Sequence, residues 1–278
     1  MTDRAGVYIL FALAAAMALT ISAAIMAPAI GLAGNNSAPS ANLNPGDFST
    51  NIDNPLFPLS SLGPKTFEGR DTDPDTGAVL AARLESGVLG KTRKVAGVAV
   101  LVLEEKVFAN DELIERALDF FAQHDDGTVY YFGELVDNYE NGKIVDHDGS
   151  WLAGKNGAEP GIVMPADPFV GQTFNQENAP GVAQDQSRVL ALDETVKTPA
   201  GKFKGCAKFE DTNPLDSPPT SEFKWFCPGV GLVRDVDAEG FIELVSYTNT
   251  SADARATSER TSDVNVSQSD DGSGDADE

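Results

Sequence analysis

Residues 118–134 constrain the fold most strongly, because two aromatic-rich runs lie on either side of an Asp-Asp-Gly turn. Apolar and aromatic runs that flank a tight turn are typical of an antiparallel β-hairpin. A second hairpin is predicted around Asn141 and Gly142, because Asn-Gly readily adopts the two positive φ angles of a type I′ turn. The two hairpins together predict an all-β protein.

The beginning of the chain predicts export. No charged residue occurs from Ala5 to Gly46, and residues 7–26 are apolar apart from two small polar side chains. Such a run is either a cleavable signal peptide, ending at Ala29 or Ala33, or an uncleaved helix that spans the roughly 30 Å core of a bilayer.

Both alternatives place the body of the protein outside the cytoplasm, secreted or anchored in the membrane. We therefore predict a hydrophobic helix as signal peptide or anchor in residues 1–34, a linker in 35–51 and a β domain in 52–248. Residues 249–278 are predicted to be a disordered acidic tail, since they are rich in Ser, Asp and Gly and offer little apolar surface to bury.

The formal net charge of −23 excludes some classes of partner. Nucleic acids and anionic lipid surfaces are bound through clustered Lys and Arg, which this chain does not offer. Solubility is the simplest explanation of the charge, and bound cations are the functional alternative. Membrane contact is expected only through residues 7–26, if they are not cleaved.

The β domain shows signs of an internal repeat. The sequence around Thr92 is similar to that around Thr195, and Phe121 corresponds to Phe226, at offsets of 103 and 105 residues. This predicts two related β-meanders that together form an antiparallel twisted half-barrel or open barrel. The predicted halves are residues 52–148 and 172–248, joined by a loop at 149–171 that is rich in Gly and Pro.

Residues 110–121 allow two interpretations, a helix or a strand. Their apolar side chains have helical spacing, but the equivalent segment of the second half is short and aromatic. We predict a strand here, because the repeat outweighs the periodicity.

Cys206 and Cys227 are the only cysteines in the chain. An even number of cysteines in an oxidising compartment favours a disulfide. Their spacing to His124 and His147 does not suit zinc. We predict a bond between strands 202–210 and 222–227.

The 149–171 loop carries large apolar residues, among them Trp151, Met164 and Phe169, which a soluble protein has to bury. The loop is predicted either to plug one end of the sheet or to line a ligand cavity.

Several strings resemble a group of exported bacterial proteins of unassigned function. They are residues 54–59 (NPLFPL), 122–134 (AQHDDGTVYYFGE), 149–154 (GSWLAG), 157–166 (GAEPGIVMPA) and 228–233 (PGVGLV). The resemblance implies an extracytoplasmic β domain and no known reaction. The family has alanine before the last string where this chain has Cys227, which implies that the disulfide is an addition to the fold.

No catalytic motif is found, and we predict neither an enzyme nor a cofactor or metal site. The two histidines lie in turns without a Gly-x-Ser-x-Gly elbow. Residues 71–77 imitate the start of a calcium loop, but its twelfth position is Ala82 instead of Glu.

Acidic residues beside apolar ones are the remaining candidates for a binding site. Such carboxylates either make structural hydrogen bonds or provide the polar lining of a ligand cleft. The predicted ligand-binding residues are Asp119, Tyr130, Glu134, Trp151, Glu159, Met164 and Glu177.

The sequence thus predicts a non-enzymatic extracytoplasmic domain that binds a small or lipidic ligand or an envelope component. The alternative is a carboxylate-dependent hydrolase acting on envelope polymers. Two carboxylates about 5–9.5 Å apart would favour the hydrolase, and an apolar pocket would favour binding.

Overall fold

The structure is a computed structural model, which describes residues 43–73 and 76–249. It confirms the predicted all-β class, with one antiparallel sheet of fifteen strands and two short 3-10 helices in the described residues. The strands are β1 (Phe48–Ser49), β2 (Leu62–Thr72), β3 (Val79–Val95), β4 (Val98–Ala109), β5 (Glu112–His124), β6 (Val129–Glu140), β7 (Lys143–Asp146), β8 (Trp151–Leu152), β9 (Gly161–Met164), β10 (Thr173–Asn175), β11 (Gln186–Thr198), β12 (Gly201–Thr212), β13 (Glu222–Cys227), β14 (Gly231–Val236) and β15 (Phe241–Asn249).

The strand order is β10-β11-β12-β13-β14-β15-β2-β3-β4-β5-β6-β7, and the sheet is not closed into a barrel by hydrogen bonds. Two meanders, β2 to β7 and β10 to β15, are joined where β15 pairs with β2. The positions matched in sequence lie on strands of the same rank, Thr92 on β3 and Thr195 on β11, Phe121 on β5 and Phe226 on β13. The duplication itself stays a prediction.

The predicted hairpins are present. Residues 125–127 turn between β5 and β6, and Asn141 and Gly142 have φ angles of 51° and 72° between β6 and β7. Residues 112–121, whose periodicity suggested a helix, are part of strand β5. The prediction of a strand there is confirmed, and the neighbouring strands β4 and β6 supply its hydrogen bonds.

An aromatic core joins the two meanders. Phe57 contacts Phe121 at a ring-centroid distance of 5.2 Å and Phe226 at 6.3 Å. Phe226 in turn meets Phe209 edge-on at 5.4 Å. All four rings are buried, so one hydrophobic core serves both halves.

The disulfide between Cys206 and Cys227 is formed as predicted, between β12 and β13. The two Cα atoms are 4.1 Å apart, slightly closer than the expected range of about 4.4–6.8 Å. Both residues are fully buried, so the bond lies in the core of the second meander.

The 149–171 segment differs from the predicted loop, because it contains the short strands β8 and β9, which both pair with β6. Trp151 and Met164 are buried, whereas Phe169 is 61 % exposed. The expectation that all its large apolar residues are buried is therefore wrong at Phe169. Gly133 allows β8 to approach β6, since a Cβ atom there would lie 2.3 Å from the carbonyl oxygen of Trp151.

One side chain from the strings quoted above connects separate segments of the fold by hydrogen bonds. The buried amide of Asn54 donates to the carbonyl oxygens of Gly127 and Pro165, at 3.0 and 3.1 Å. It thereby ties three of the strings together.

The predicted hydrophobic helix and acidic tail lie outside the described residues. Within the described part of the chain, no helix is long and apolar enough to cross a membrane.

Candidate functional site

The structure brings four of the predicted site residues together and separates three. Asp119 on β5 lies directly opposite Glu134 on β6, and Trp151 on β8 is the partner of Glu134 on its other side. Glu177 follows β10 and accepts a hydrogen bond from the Trp151 indole, 3.2 Å from Nε1 to Oε1. All four are at least 95 % buried.

The other three lie elsewhere. Tyr130 is half-buried and packs against Phe48 and His124, Glu159 is exposed, and the buried Met164 pairs with Val129. A common ligand contact for all seven residues stays a prediction.

Tyr131, which was not among the predicted residues, lies beside Asp119 and Trp151, whereas the neighbouring Tyr130 was predicted for the site. Its hydroxyl donates to Oδ1 of Asp119 at 2.8 Å, and its ring meets that of Trp151 edge-on at 5.3 Å. A bulge explains the difference. Between the pairs Asp119–Glu134 and Phe121–Tyr131, β6 advances one residue more than β5. Tyr131 and Glu134 therefore face the same side, although regular alternation would place them on opposite faces.

Burial shapes the electrostatics of these acids. Burial first, and then the charges of neighbouring acids, raise the pKa of Glu177 to about 8 and the pKa of Asp119 and of Glu134 well above the usual range. Burial likewise raises the pKa of Glu115 on β5 to about 8. The interior therefore holds carboxyl groups that keep their protons at neutral pH.

An acidic cavity opens at the β12–β13 connection, which the sequence analysis did not single out. Its volume is about 40 Å³, more than one water molecule requires. Six carboxyl groups and no Lys or Arg line it. The lining residues are Asp185, Asp211, Thr212, Asn213, Asp216, Thr220, Ser221, Glu222, Asp237 and Glu239.

Buried polar atoms of this lining lack donors or acceptors. Asn213 is 6 % exposed; its Oδ1 accepts from the backbone of Leu215, whereas its Nδ2 meets no acceptor among the described residues. Oδ2 of Asp185, also 6 % exposed, likewise receives no N–H or O–H donor in the described part of the chain. Such atoms carry a desolvation cost that a bound polar group would offset.

Lys224 on β13 is the cation that touches the cavity wall. Its ammonium lies 3.1 Å from Oδ2 of Asp211 and 2.7 Å from Oε2 of Glu222. Asp235 on β14 is fully buried and lies opposite Lys224 in the β13–β14 pair. Burial alone would lower the pKa of Lys224, but Glu222, Asp211 and Asp235 outweigh burial and raise it well above the usual range.

A chain of carboxyl groups connects the predicted site with this cavity. Glu177 lies within hydrogen-bonding reach of Glu134 on one side and of Asp185 on the other. The backbone N–H groups of Gln176 and Glu177 both donate to the carbonyl oxygen of Asp185, which holds the two segments together. Asp185 is thus shared by the buried chain and the cavity wall.

An apolar pocket lies beside strands β2 and β4. It is lined by Phe57, Leu59, Leu62, Phe67 and Leu103, with Lys65 and Glu105 as its charged members. The Lys65 amine donates to the carbonyl oxygens of Val230 and Leu232, at 2.9 and 2.5 Å, and burial lowers its pKa to about 7. With a volume of about 20 Å³, the pocket has room for a water molecule and not for a lipid chain.

Metal ligation finds no support in the described residues. Among them, no group of three or more His, Cys, Asp or Glu side chains is arranged to hold a metal ion. The acidic cavity therefore offers oxygen acceptors without a ready coordination sphere.

No family model and no curated protein matches the chain. Two solved structures share similarity, each at 13 % sequence identity. One is a predicted exported protein with a YmcC-like fold from Bacteroides fragilis NCTC 9343, with a TM-score of 0.39 over 67 % of this chain and 95 % of the other. The second is a predicted lipoprotein from Parabacteroides distasonis ATCC 8503, with a TM-score of 0.37 over 69 % and 98 %. Because both scores are below 0.5, the likeness assigns neither a fold family nor a function to this chain.

Proposed function

We propose that this protein is a non-enzymatic extracytoplasmic domain that binds a small organic cation in the acidic cavity. One observation carries the proposal: six carboxyl groups surround a cavity whose wall contains no basic residue, and the buried Oδ2 of Asp185 in that wall receives no donor from the described residues. An ammonium or guanidinium group supplies an N–H donor for Oδ2 of Asp185 and the positive charge that this lining lacks.

Lys224 shows which chemistry the wall accepts. Its ammonium is held by two cavity carboxylates at 3.1 and 2.7 Å in a fully buried position. A ligand amine would repeat this arrangement on the open side with Asp185, Asp216 and Glu239. A volume of about 40 Å³ admits the cationic head group, while the rest of the molecule stays outside.

An organic cation fits better than the other candidates. The carboxylates do not form a metal-binding group, and the apolar pocket is too small for a lipid. The uncharged N-terminal run supports the extracytoplasmic location, and so does the disulfide, since such bonds persist in oxidising compartments.

Isothermal titration of the full chain, kept in detergent, with agmatine tests the proposal. Agmatine carries a guanidinium and an amine, and glucose serves as the neutral comparison. We expect saturable binding of agmatine that weakens with salt, because Coulomb attraction is screened, and no binding of glucose.

Variants at the cavity should separate specific binding from general attraction. Glu239→Gln and Asp216→Asn should each weaken agmatine binding by about tenfold, since a hydrogen bond to a charged group contributes roughly 1.5–3 kcal/mol. Glu140→Gln removes the same charge from the exposed end of β6 and should leave the affinity within about twofold of the wild type. Equal loss in all three variants, or no saturation, would refute the cavity as the site. Saturable binding of Ca²⁺ but not of agmatine would also refute it.

A further inference from the structure

We propose that the cavity takes up its cation in exchange for a proton held by the buried carboxyl chain Glu134–Glu177–Asp185. This inference rests on the proposed function, because it concerns the regulation of the same site. It adds that the ligand and protons compete, so that the domain releases its ligand when the surroundings become acidic.

The unpartnered carboxyl oxygens of the chain point to a shared proton. Both carboxyl oxygens of Glu134, Oε2 of Glu177 and Oδ2 of Asp185 receive no N–H or O–H donor from the described residues. Yet Glu177 is held beside both neighbours: its Oε1 accepts from the indole of Trp151, the strand partner of Glu134, and its backbone N–H donates to the carbonyl oxygen of Asp185. Two carboxylates cannot bond to each other, whereas a carboxylic acid can donate to a carboxylate. The contacts are satisfied when one member of each pair keeps its proton.

No cation neutralises the middle of the chain. The charged and titratable groups that face it come from several strands: Glu115 and Asp119 on β5, Tyr131 on β6, Asp211 on β12, and Lys224 on β13. Glu105 on β4 also acts on Asp119 and is the sixth such group. Four of the six carry a carboxyl group. Only Lys224 is a base, and it is already held by Asp211 and Glu222.

Asp185 couples this chain to the ligand. It lies within hydrogen-bonding reach of Glu177 on its buried side and lines the cavity on the other. A positive charge at the cavity wall favours the ionised form of Asp185 and of its partner. The proton that the two share then leaves to solvent, and the charge of the ligand replaces the charge of that proton.

The raised pKa of Glu177, about 8 because of burial and its acidic neighbours, places this exchange in the neutral range. Burial also shifts the pKa of other acids near the cavity. Burial raises the pKa of Asp71 to about 6, and it raises the pKa of Glu222 and of Asp237. The experiment therefore has to separate the buried chain from the cavity rim.

Titration of the full chain with agmatine in two buffers of different ionisation enthalpy measures the protons released on binding. At about pH 7 we expect roughly one proton per bound agmatine, and an affinity that rises by up to about tenfold per pH unit between pH 6 and 8. Glu177→Gln keeps the shape of the side chain and an oxygen for the Trp151 indole. It should still bind agmatine but release at most half as many protons.

Asp237→Asn is the matched control, because it removes a titrating acid from the cavity rim and leaves the buried chain intact. It should weaken binding yet keep most of the proton release. Infrared spectroscopy of the wild type supplies a second measurement, since the carbonyl band of protonated carboxylic acids should be present near neutral pH and lose intensity when agmatine is added.

The outcomes separate the two proposals. If agmatine does not bind at any pH, the proposed function fails. If agmatine binds without proton release, or if Glu177→Gln releases as many protons as the wild type, the exchange is refuted and cation binding stands. Absence of a protonated-acid band near pH 7 would refute the exchange without any variant.

Discussion

Replacement of Lys224 by methionine is the most informative test of how the acidic interior is held together. Lys224 is 1 % exposed and neutralises Asp211 and Glu222 by direct contact, while the buried Asp235 lies opposite it in the sheet. Methionine has nearly the same length but no charge. The variant thus leaves three carboxyl groups, two of them buried, without their common cation.

We expect Lys224→Met to lower the free energy of unfolding by about 3–5 kcal/mol, the usual cost of removing one partner of a buried ion pair. Because three carboxyl groups lose their cation together, the loss of unfolding free energy should lie at the upper end of this range. Urea-induced unfolding followed by tryptophan fluorescence measures it. Lys106→Met is the matched control, because Lys106 makes a partly exposed ion pair with Glu104 at 3.0 Å and should cost about 1 kcal/mol or less.

The loss should depend on pH in a defined direction. Lys224 holds down the pKa values of Glu222 and Asp235, which burial already raises. Without it the folded protein holds these protons more tightly than the unfolded chain, so stability falls as pH rises above the unfolded carboxyl pKa of about 4. The difference between Lys224→Met and the wild type should therefore be larger at about pH 8 than at about pH 5. A loss no greater than that of Lys106→Met, or one independent of pH, would refute this reasoning.

Two further predictions concern packing and the disulfide. Trp151→Ala should lower the free energy of unfolding by about 3–5 kcal/mol, because the indole is 5 % exposed and hydrogen-bonded to Glu177; an unchanged urea midpoint would contradict it. Reduction of the bond between Cys206 and Cys227, which are 21 residues apart, should lower it by roughly 3 kcal/mol through the entropy of the unfolded chain. The matching measurement is urea unfolding with and without reductant, and labelling of free thiols in the native protein would show that the bond is not formed.

Short-range signals in the sequence were sufficient for the strands and turns. The Asn141–Gly142 turn follows from local backbone preferences, and the strand at residues 112–121 followed from comparison with the second half. The disulfide could be predicted because only two cysteines occur. The order of the strands, in which β15 returns to pair with β2, depends on long-range contacts that no local pattern encodes.

The candidate site could be predicted only in part. Asp119, Glu134 and Glu177 were found because acids beside apolar residues stand out in a sequence. Tyr131 was missed because a bulge reverses the alternation of β6, and a bulge leaves no clear mark beyond Gly133. The acidic cavity was missed because its lining residues, such as Asp185 and Asp237, are far apart in sequence and are brought together only by the pairing of the strands.

The two halves carry an acidic and a basic side chain at equivalent positions of the sheet. The predicted alignment of Asp119 with Lys224 places both two residues before the matched Phe121 and Phe226. Asp119 lies opposite Glu134 in the β5–β6 pair, and Lys224 lies opposite Asp235 in the β13–β14 pair. The second half thus neutralises its buried acids with an ammonium, whereas the first half has an acid at the same position.

This contrast identifies where protons are needed. A buried acid opposite another acid cannot remain ionised without a cation, so the first half has to hold a proton where the second half holds Lys224. Burial and neighbouring acids accordingly raise the pKa of Asp119 and of Glu134 well above the usual range. The carboxyl chain then leads from this proton-dependent half to Asp185, at the wall of the half that binds ammonium. A proton, the ammonium of Lys224 and a ligand cation can each offset the negative charge of buried carboxylates. Binding of a cation in the cavity should therefore alter the protonation of the carboxyl chain.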